Sequence, residues 1–193
     1  MTKTPTKLRA DAQRNRDKLM AAAVALLADA GPDVPLEAVA RQAGVGIGTL
    51  YRHFPTREAL VEAAYRNELA RLCDAAAELL AANAPDQALR LWMDRFVDYA
   101  TTKRGMKDAL RAVVASGGNP FAHTRDRLVE ALDLLLRAGA KAGTLRPDAD
   151  ATDLLAGLSG VSLAAGEPAQ RAQAGRLLDL LVDGLRFGTT PSP

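Results

Sequence analysis

The sequence predicts an all-α protein of about nine helices, and three observations carry that prediction. Its 193 residues are 48% hydrophobic but only 4% aromatic, with alanine and leucine abundant, and both residues lose little on entering a helix. Alternating runs rich in valine and isoleucine, which mark strands, are scarce. Apolar positions instead recur every three or four residues in segments separated by glycine and proline. The 25% of charged residues suits an ordinary globular chain rather than a disordered one.

The first helix is predicted from Asp11 to Ala30, closed by Gly31-Pro32. Its apolar run Met20 to Ala28 follows a basic lead and precedes Ala28-Asp29-Ala30, a pattern that imitates an export signal. The lead contains Asp11 and Asp17, however, and Leu19, Ala23, Val24 and Leu27 recur at helical spacing, so a core helix and a cytoplasmic protein are expected. The run is also far short of the roughly 20 residues needed to span a bilayer.

A short helix, Leu36 to Ala43, follows with Leu36, Val39 and Ala40 on one face. Gly44-Val45-Gly46 breaks the period, a third helix runs from Ile47 to His53, and Pro55 ends it. Thr56 is a natural N-cap for the fourth, with Glu58 in its first turn where the helix dipole favours an anion. That helix carries the stripe Val61, Tyr65, Leu69, Leu72, Ala76 and Leu79 to about Ala82.

Asn83-Ala84-Pro85 separates a fifth helix, with Leu89, Trp92, Met93, Phe96, Val97 and Ala100 facing inward. Gly105 interrupts it, and Met106, Ala109, Leu110, Val113 and Val114 make a sixth. After the loop Gly117-Gly118-Asn119-Pro120, a seventh carries Leu128, Leu132, Leu135 and Leu136 and ends near Gly143. Asp150 and Asp153 resemble a capping box opening an eighth, Ala151 to Ala165. Gly166-Glu167-Pro168 turns into a ninth with Leu177, Leu178, Leu181 and Leu185 inward.

The net charge of +2 is unevenly placed. Residues 1–57 carry nine basic and five acidic groups, a net of +4, which leaves −2 on the remainder. A basic N-terminal third on a near-neutral body suits a nucleic-acid-binding head, though a solvated basic tail would give the same arithmetic. The lone Cys73 excludes an internal disulfide and a cysteine-based zinc site.

The most telling stretch is Leu36 to Phe54, LEAVARQAGVGIGTLYRHF. Two short helices joined by a tight, glycine-containing turn form a helix-turn-helix, whose second helix lies in the DNA major groove. Val39 and Ala40 are expected to pack the two helices together, and Val45 and Leu50 to plug the small core between them. Gly44 supplies the turn conformation that other residues resist. Gly46, Ile47, Gly48, Thr49 and Arg52 are left on or near the outer face. The spacing Gly44-x-Gly46-x-Gly48 does not make a phosphate loop, because no strand precedes it and no Gly-Lys-Ser/Thr follows.

Val39-Ala40-Arg41-x-Ala43-Gly44-Val45, Gly48-Thr49-Leu50-Tyr51-Arg52-His53-Phe54 and Thr56-Arg57-Glu58-Ala59-Leu60 together resemble the TetR family of bacterial transcriptional repressors. The resemblance covers about residues 14–66, and the run Trp92 to Leu110 is similar to the regulatory domain of an actinobacterial-type subgroup. It implies a three-helix DNA-binding domain over residues 1–55 and a helical regulatory and dimerisation domain over 56–193. Tyr51, His53 and Arg57 then fall where the family holds the DNA backbone, and all three carry suitable phosphate donors. Ile47, Gly48, Thr49 and Arg52 fall where it reads bases, with Arg52 matched to guanine and the Thr49 methyl to thymine. Lys3, Lys7 and Arg9 read either as an arm reaching the DNA or as a solvated basic tail. Two departures remove hydroxyls the family commonly has: Pro35 stands at the cap of the second helix and Gly46 at the opening of the third.

The resemblance further implies a homodimer that binds a near-palindromic DNA operator and is released by a small-molecule effector. On the eighth helix Ala156, Gly160 and Ala164 form a row of small residues beside Leu154, Leu155, Leu158 and Val161. With Leu177, Leu181 and Leu185 these form half of an intersubunit four-helix bundle, or else an intrachain core. Trp92, Phe96, Tyr99 and Phe121, with Cys73, Met93, Met106 and Leu110, read as plain core or as a pocket for an apolar or aromatic effector. Tyr99, Arg111 or His123 would orient a polar end of it. No enzyme is expected, and no metal or cofactor: the two histidines, His53 and His123, belong to no metal-spaced pair, and no nucleophile motif occurs. The remaining rival is a helical adaptor whose head no longer binds DNA.

Overall fold

A computed structural model of the chain describes residues 5–31, 33–165 and 168–186. Nine α-helices and a short 3-10 turn at Pro168–Gln170 account for its regular structure, with no strand among the described residues. None of these helices is long and apolar enough to cross a membrane. The helices group into two compact units.

The first unit holds the described residues up to Glu68 together with Thr102–Ala122. It contains α1 (Pro5–Ala30), α2 (Leu36–Ala43), α3 (Ile47–His53), the start of α4 (Arg57–Ala82), the end of α5 (Pro85–Gly105) and α6 (Lys107–Ala115). α1 begins six residues before the expected start at Asp11, because its polar first turns carry no apolar stripe to announce them. Within the run expected to be core, Met20, Ala22, Ala23 and Leu27 are buried, as their place on one helix face requires. Gly31, at φ +80°, closes α1 by donating its N–H to the Leu27 carbonyl at 3.2 Å.

Leu36, Val39, Ala40 and Ala43 bury one face of α2, and α2 packs against both α1 and α3. Leu60, Val61, Ala64 and Tyr65 of α4 and Met106, Ala109, Leu110 and Val113 around α6 complete this core. The end of α5 comes down onto the α1 backbone. A Cβ on Gly105 would lie 2.9 Å from Ala28 Cα, so only glycine fits without a shift.

The second unit holds Leu69–Thr101 and the described residues from His123 onward, with α7 (Thr124–Ala142), α8 (Ala151–Ala164) and α9 (Arg171–Arg186). The Asp150 carboxylate caps α8, accepting N–H bonds from Thr152 at 2.7 Å and Asp153 at 3.0 Å. Trp92, Met93, Leu89, Leu132, Leu135, Leu158 and Leu178 are wholly buried. α9 is tied to α5 by three arginines: Arg90 to Asp179 at 2.6 Å, Arg171 to Asp94 at 2.8 Å and Arg186 to Asp86 at 2.7 Å. Each pair is worth little on an exposed surface, but spaced along α5 from Asp86 to Asp94 they fix the direction of α9.

The expected division at residues 55/56 follows the Pro55 break. The compact units are drawn differently, since α4 runs through both and α6 belongs with the N-terminal helices.

Candidate nucleic-acid interface

The geometry of α2 and α3 follows from a few residues. Gly44 sits at φ +69°, ψ 32°, its N–H bonds to the Arg41 carbonyl at 3.1 Å, and Val45 N–H reaches the Ala40 carbonyl at 3.0 Å. That left-handed turn is where a side chain would be strained. α3 has seven residues and a single buried one, Leu50. Val45, expected beside Leu50 as a second plug, is only half-buried. Phe54 is buried just after α3, and the Arg16 guanidinium lies 5.5 Å from the centre of its ring.

The other side of α3 is open. Ile47 is 37% and Tyr51 46% exposed, unusual values for large apolar and aromatic side chains. Gly46 and Gly48 would each have open space around a Cβ. Arg52 lies back along the helix, its Nε donating to the Gly48 carbonyl at 3.1 Å and its Nη2 to Thr49 Oγ1 at 3.3 Å. His53 is half-buried with its ring tilted against Phe54, centroids 6.3 Å apart. Thr56 caps α4, its hydroxyl accepting the Ala59 N–H at 3.1 Å. The structure therefore brings Gly46, Ile47, Gly48, Thr49, Tyr51, Arg52 and His53 onto one seven-residue helix and its cap. Lys3 lies outside the described residues, and of Lys7 and Arg9 only the backbone is described, within α1.

Arg57, expected at the DNA backbone, opens α4. It is half-buried, and its Nη2 donates to the Val34 carbonyl at 2.6 Å, across 23 residues of sequence. Pro35 stands at the N-cap of α2 at φ −61° with no side-chain cap, as its missing hydroxyl requires. Gly46 likewise caps α3 with no side-chain bond, at φ −70°, a conformation open to any residue. Its glycine is thus not required by the turn, in contrast with Gly44.

The expected effector residues fall in both units. Trp92, Met93, Phe96 and Tyr99 are buried in the second, where Trp92 stacks on Phe96 at 5.9 Å and its Nε1 donates to the Leu72 carbonyl at 2.8 Å. Cys73 belongs there too, its thiol donating to the Arg127 carbonyl at 3.5 Å, and burial pushes its pKa up. Met106 and Leu110 are core of the first unit, where Phe121 stays 40% exposed against the Tyr65 edge and 5.0 Å from the Lys103 ammonium. Arg111 and His123 are exposed.

On the eighth helix Leu154, Leu155, Leu158 and Val161 are buried within the chain and form its inner face. Its outer face carries Ala156, Gly160 and Ala164 with Leu163, which is 82% exposed, and α9 offers Leu180 at 69%. Leu177, Leu181 and Leu185 lie beside it on α9 without being buried.

Residues 19–64 match the family model described as bacterial regulatory proteins, tetR family. Residues 84–187 match that of the C-terminal domain of SbtR-like transcriptional regulators. The chain is similar to a TetR transcriptional regulator from Streptomyces coelicolor, with 58% identity and a TM-score of 0.87 over 90% of this chain and 99% of that one. A TetR transcription regulatory protein from Mycobacterium vanbaalenii is 37% identical, with a TM-score of 0.77 over 93% and 99% of the two chains. A TetR transcription regulator from Haloarcula marismortui, 17% identical with a TM-score of 0.64 over 91% and 100%, shares the fold. No curated protein matches the chain.

Proposed function

The chain belongs to the TetR family of transcriptional regulators, and from that premise we propose that it is a cytoplasmic homodimeric repressor, not an enzyme, that leaves a near-palindromic DNA operator when a small-molecule effector binds. The observation that carries this reading is the open side of α3. A helix anchored by Leu50 alone displays Ile47, Tyr51 and Arg52 beside two glycines that keep no bulk between its backbone and a groove floor.

In this reading Tyr51 and His53 donate to phosphates, and Ile47, Thr49 and Arg52 read base edges. The Arg52 contacts to Gly48 and Thr49 hold its guanidinium along α3 before DNA arrives, so little side-chain freedom remains to be lost on binding. Lys3, Lys7 and Arg9 supply sequence-independent attraction. The outer faces of α8 and α9 join two copies, and the two-fold axis sets the recognition helices roughly 34–36 Å apart, or a multiple of it, on DNA. An apolar or aromatic effector shifts the dimer toward a spacing of its heads that misfits the operator, to the extent that it binds that state more tightly.

Selection of bound duplexes from a random library, with the purified protein at moderate salt, tests the reading. A near-palindromic consensus is expected. Failure to enrich any sequence, with and without candidate effectors, would favour the adaptor reading.

Two substitutions probe the contacts. Arg52→Ala should flatten base preference at one position per half-site, at a cost of about 1–3 kcal/mol against the preferred base; an unchanged consensus would remove Arg52 from base reading. Gly46→Ser adds a cap and a phosphate donor where nothing obstructs a Cβ. It should stabilise the first unit by a few tenths of a kcal/mol and tighten binding to all duplexes by about tenfold, the worth of one hydrogen bond to a charged group. Thermal unfolding and duplex titration read the two effects separately.

A further inference from the structure

Arg57 follows the cap of α4 in sequence and is one of the basic residues nearest α3, so it invites a phosphate role. Its surroundings argue for another. The guanidinium is half-buried and bonded to the carbonyl of Val34, itself buried. Asp33, Glu58, Val61, Ala109 and Ala112 line the same cleft, of about 230 Å³. Two carboxylates beside Arg57 make that cleft a poor approach for a phosphate, through like-charge repulsion. The loop it holds is the one that needs holding. Pro35 gives α2 no side-chain cap, and the first α2 bonds run from Ala38 and Val39 N–H to the Pro35 carbonyl, at 3.0 and 3.3 Å. The residue before Pro35 is the one whose carbonyl Arg57 fixes.

We propose that Arg57 is a positioning residue: through the Val34 carbonyl it fixes the entry of α2, and through α2 the presentation of α3, without touching DNA. It does not stand in for the absent capping hydroxyl, because a guanidinium only donates; it holds the loop that leads into the uncapped helix. The cleft also puts Arg57 beside α6, whose Ala109 and Ala112 form the facing wall.

The proposal rests on the DNA-binding reading of the head, and its test separates the two. Arg57→Gln removes the charge and shortens the donor. For a positioning residue, affinity for the selected operator falls by about tenfold, the scale of one hydrogen bond from a charged donor. Affinity for a random duplex and its salt dependence stay unchanged. Were Arg57 a phosphate contact, binding to both duplexes would weaken and the slope of log K against log salt would shrink by about 0.9; that result overturns the proposal. Hydrogen exchange decides the matter without DNA: Ala38 and Val39 amides exchange faster in Arg57→Gln, while those in the middle of α4 do not. Unchanged exchange at Ala38 and Val39 also overturns it. If the unsubstituted protein binds neither duplex, the DNA-binding reading fails and exchange alone judges Arg57.

Discussion

Leu163→Glu should turn the protein into a monomer that loses its operator by more than about a hundredfold, because half of the site's contacts go with the second copy. Leu163 is 82% exposed on α8 and Leu180 69% exposed on α9, beside the small residues Ala156, Gly160 and Ala164. Both leucines are large apolar side chains standing in solvent, of the kind that marks an interaction surface when they gather into a patch. A row of small residues lets a second helix approach closely, and a two-fold contact is self-complementary, so each substitution acts twice. An unpaired carboxylate buried at such a contact costs several kcal/mol per site. The inner face of α8 is untouched, so the chain should keep its helices. Sedimentation velocity reads the assembly and duplex titration the binding. A Leu163→Glu protein that stays dimeric would place the interface elsewhere.

The legible part of this fold is the part written in local chemistry. Gly31, Gly44, Gly143 and Pro55 end helices where the sequence says they do, because a positive φ or a missing N–H acts on its immediate neighbours. The plug Leu50 and the open Ile47, Gly48 and Arg52 could be read from a seven-residue helix for the same reason, whereas Val45, expected as a second plug, is only half-buried. Two kinds of fact could not be read. Arg57 meets Val34 across 23 residues, and no periodicity encodes a long-range hydrogen bond. α8 is apolar nearly all round, so its pattern declares burial without saying which face meets its own chain. Only packing against α7 and α9 assigns Leu158 to the inside and Leu163 to the outside. The small-residue row Ala156, Gly160 and Ala164 lies on the exposed side.

The other large effect is expected at Leu50. A helix of seven residues is unstable alone, since nucleation outweighs so few backbone bonds, and α3 has one buried side chain to hold it. Leu50→Ala removes that anchor and should cost about 2–5 kcal/mol, a large fraction of the stability of any single compact unit. Its neighbours Tyr51 and Arg52 are exposed, and alanine there should change stability by less than about 0.5 kcal/mol, while altering DNA contacts directly. The contrast separates two routes to the same lost binding. In Leu50→Ala, amides of α2 and α3 should lose protection from exchange and DNA binding should vanish, while the dimer should persist because the face proposed for it, on α8 and α9, lies in the other compact unit. In Tyr51→Ala, protection should be retained as binding weakens. If α3 amides stayed protected in Leu50→Ala, then α3 must be held by more than the one contact that gives the head its shape.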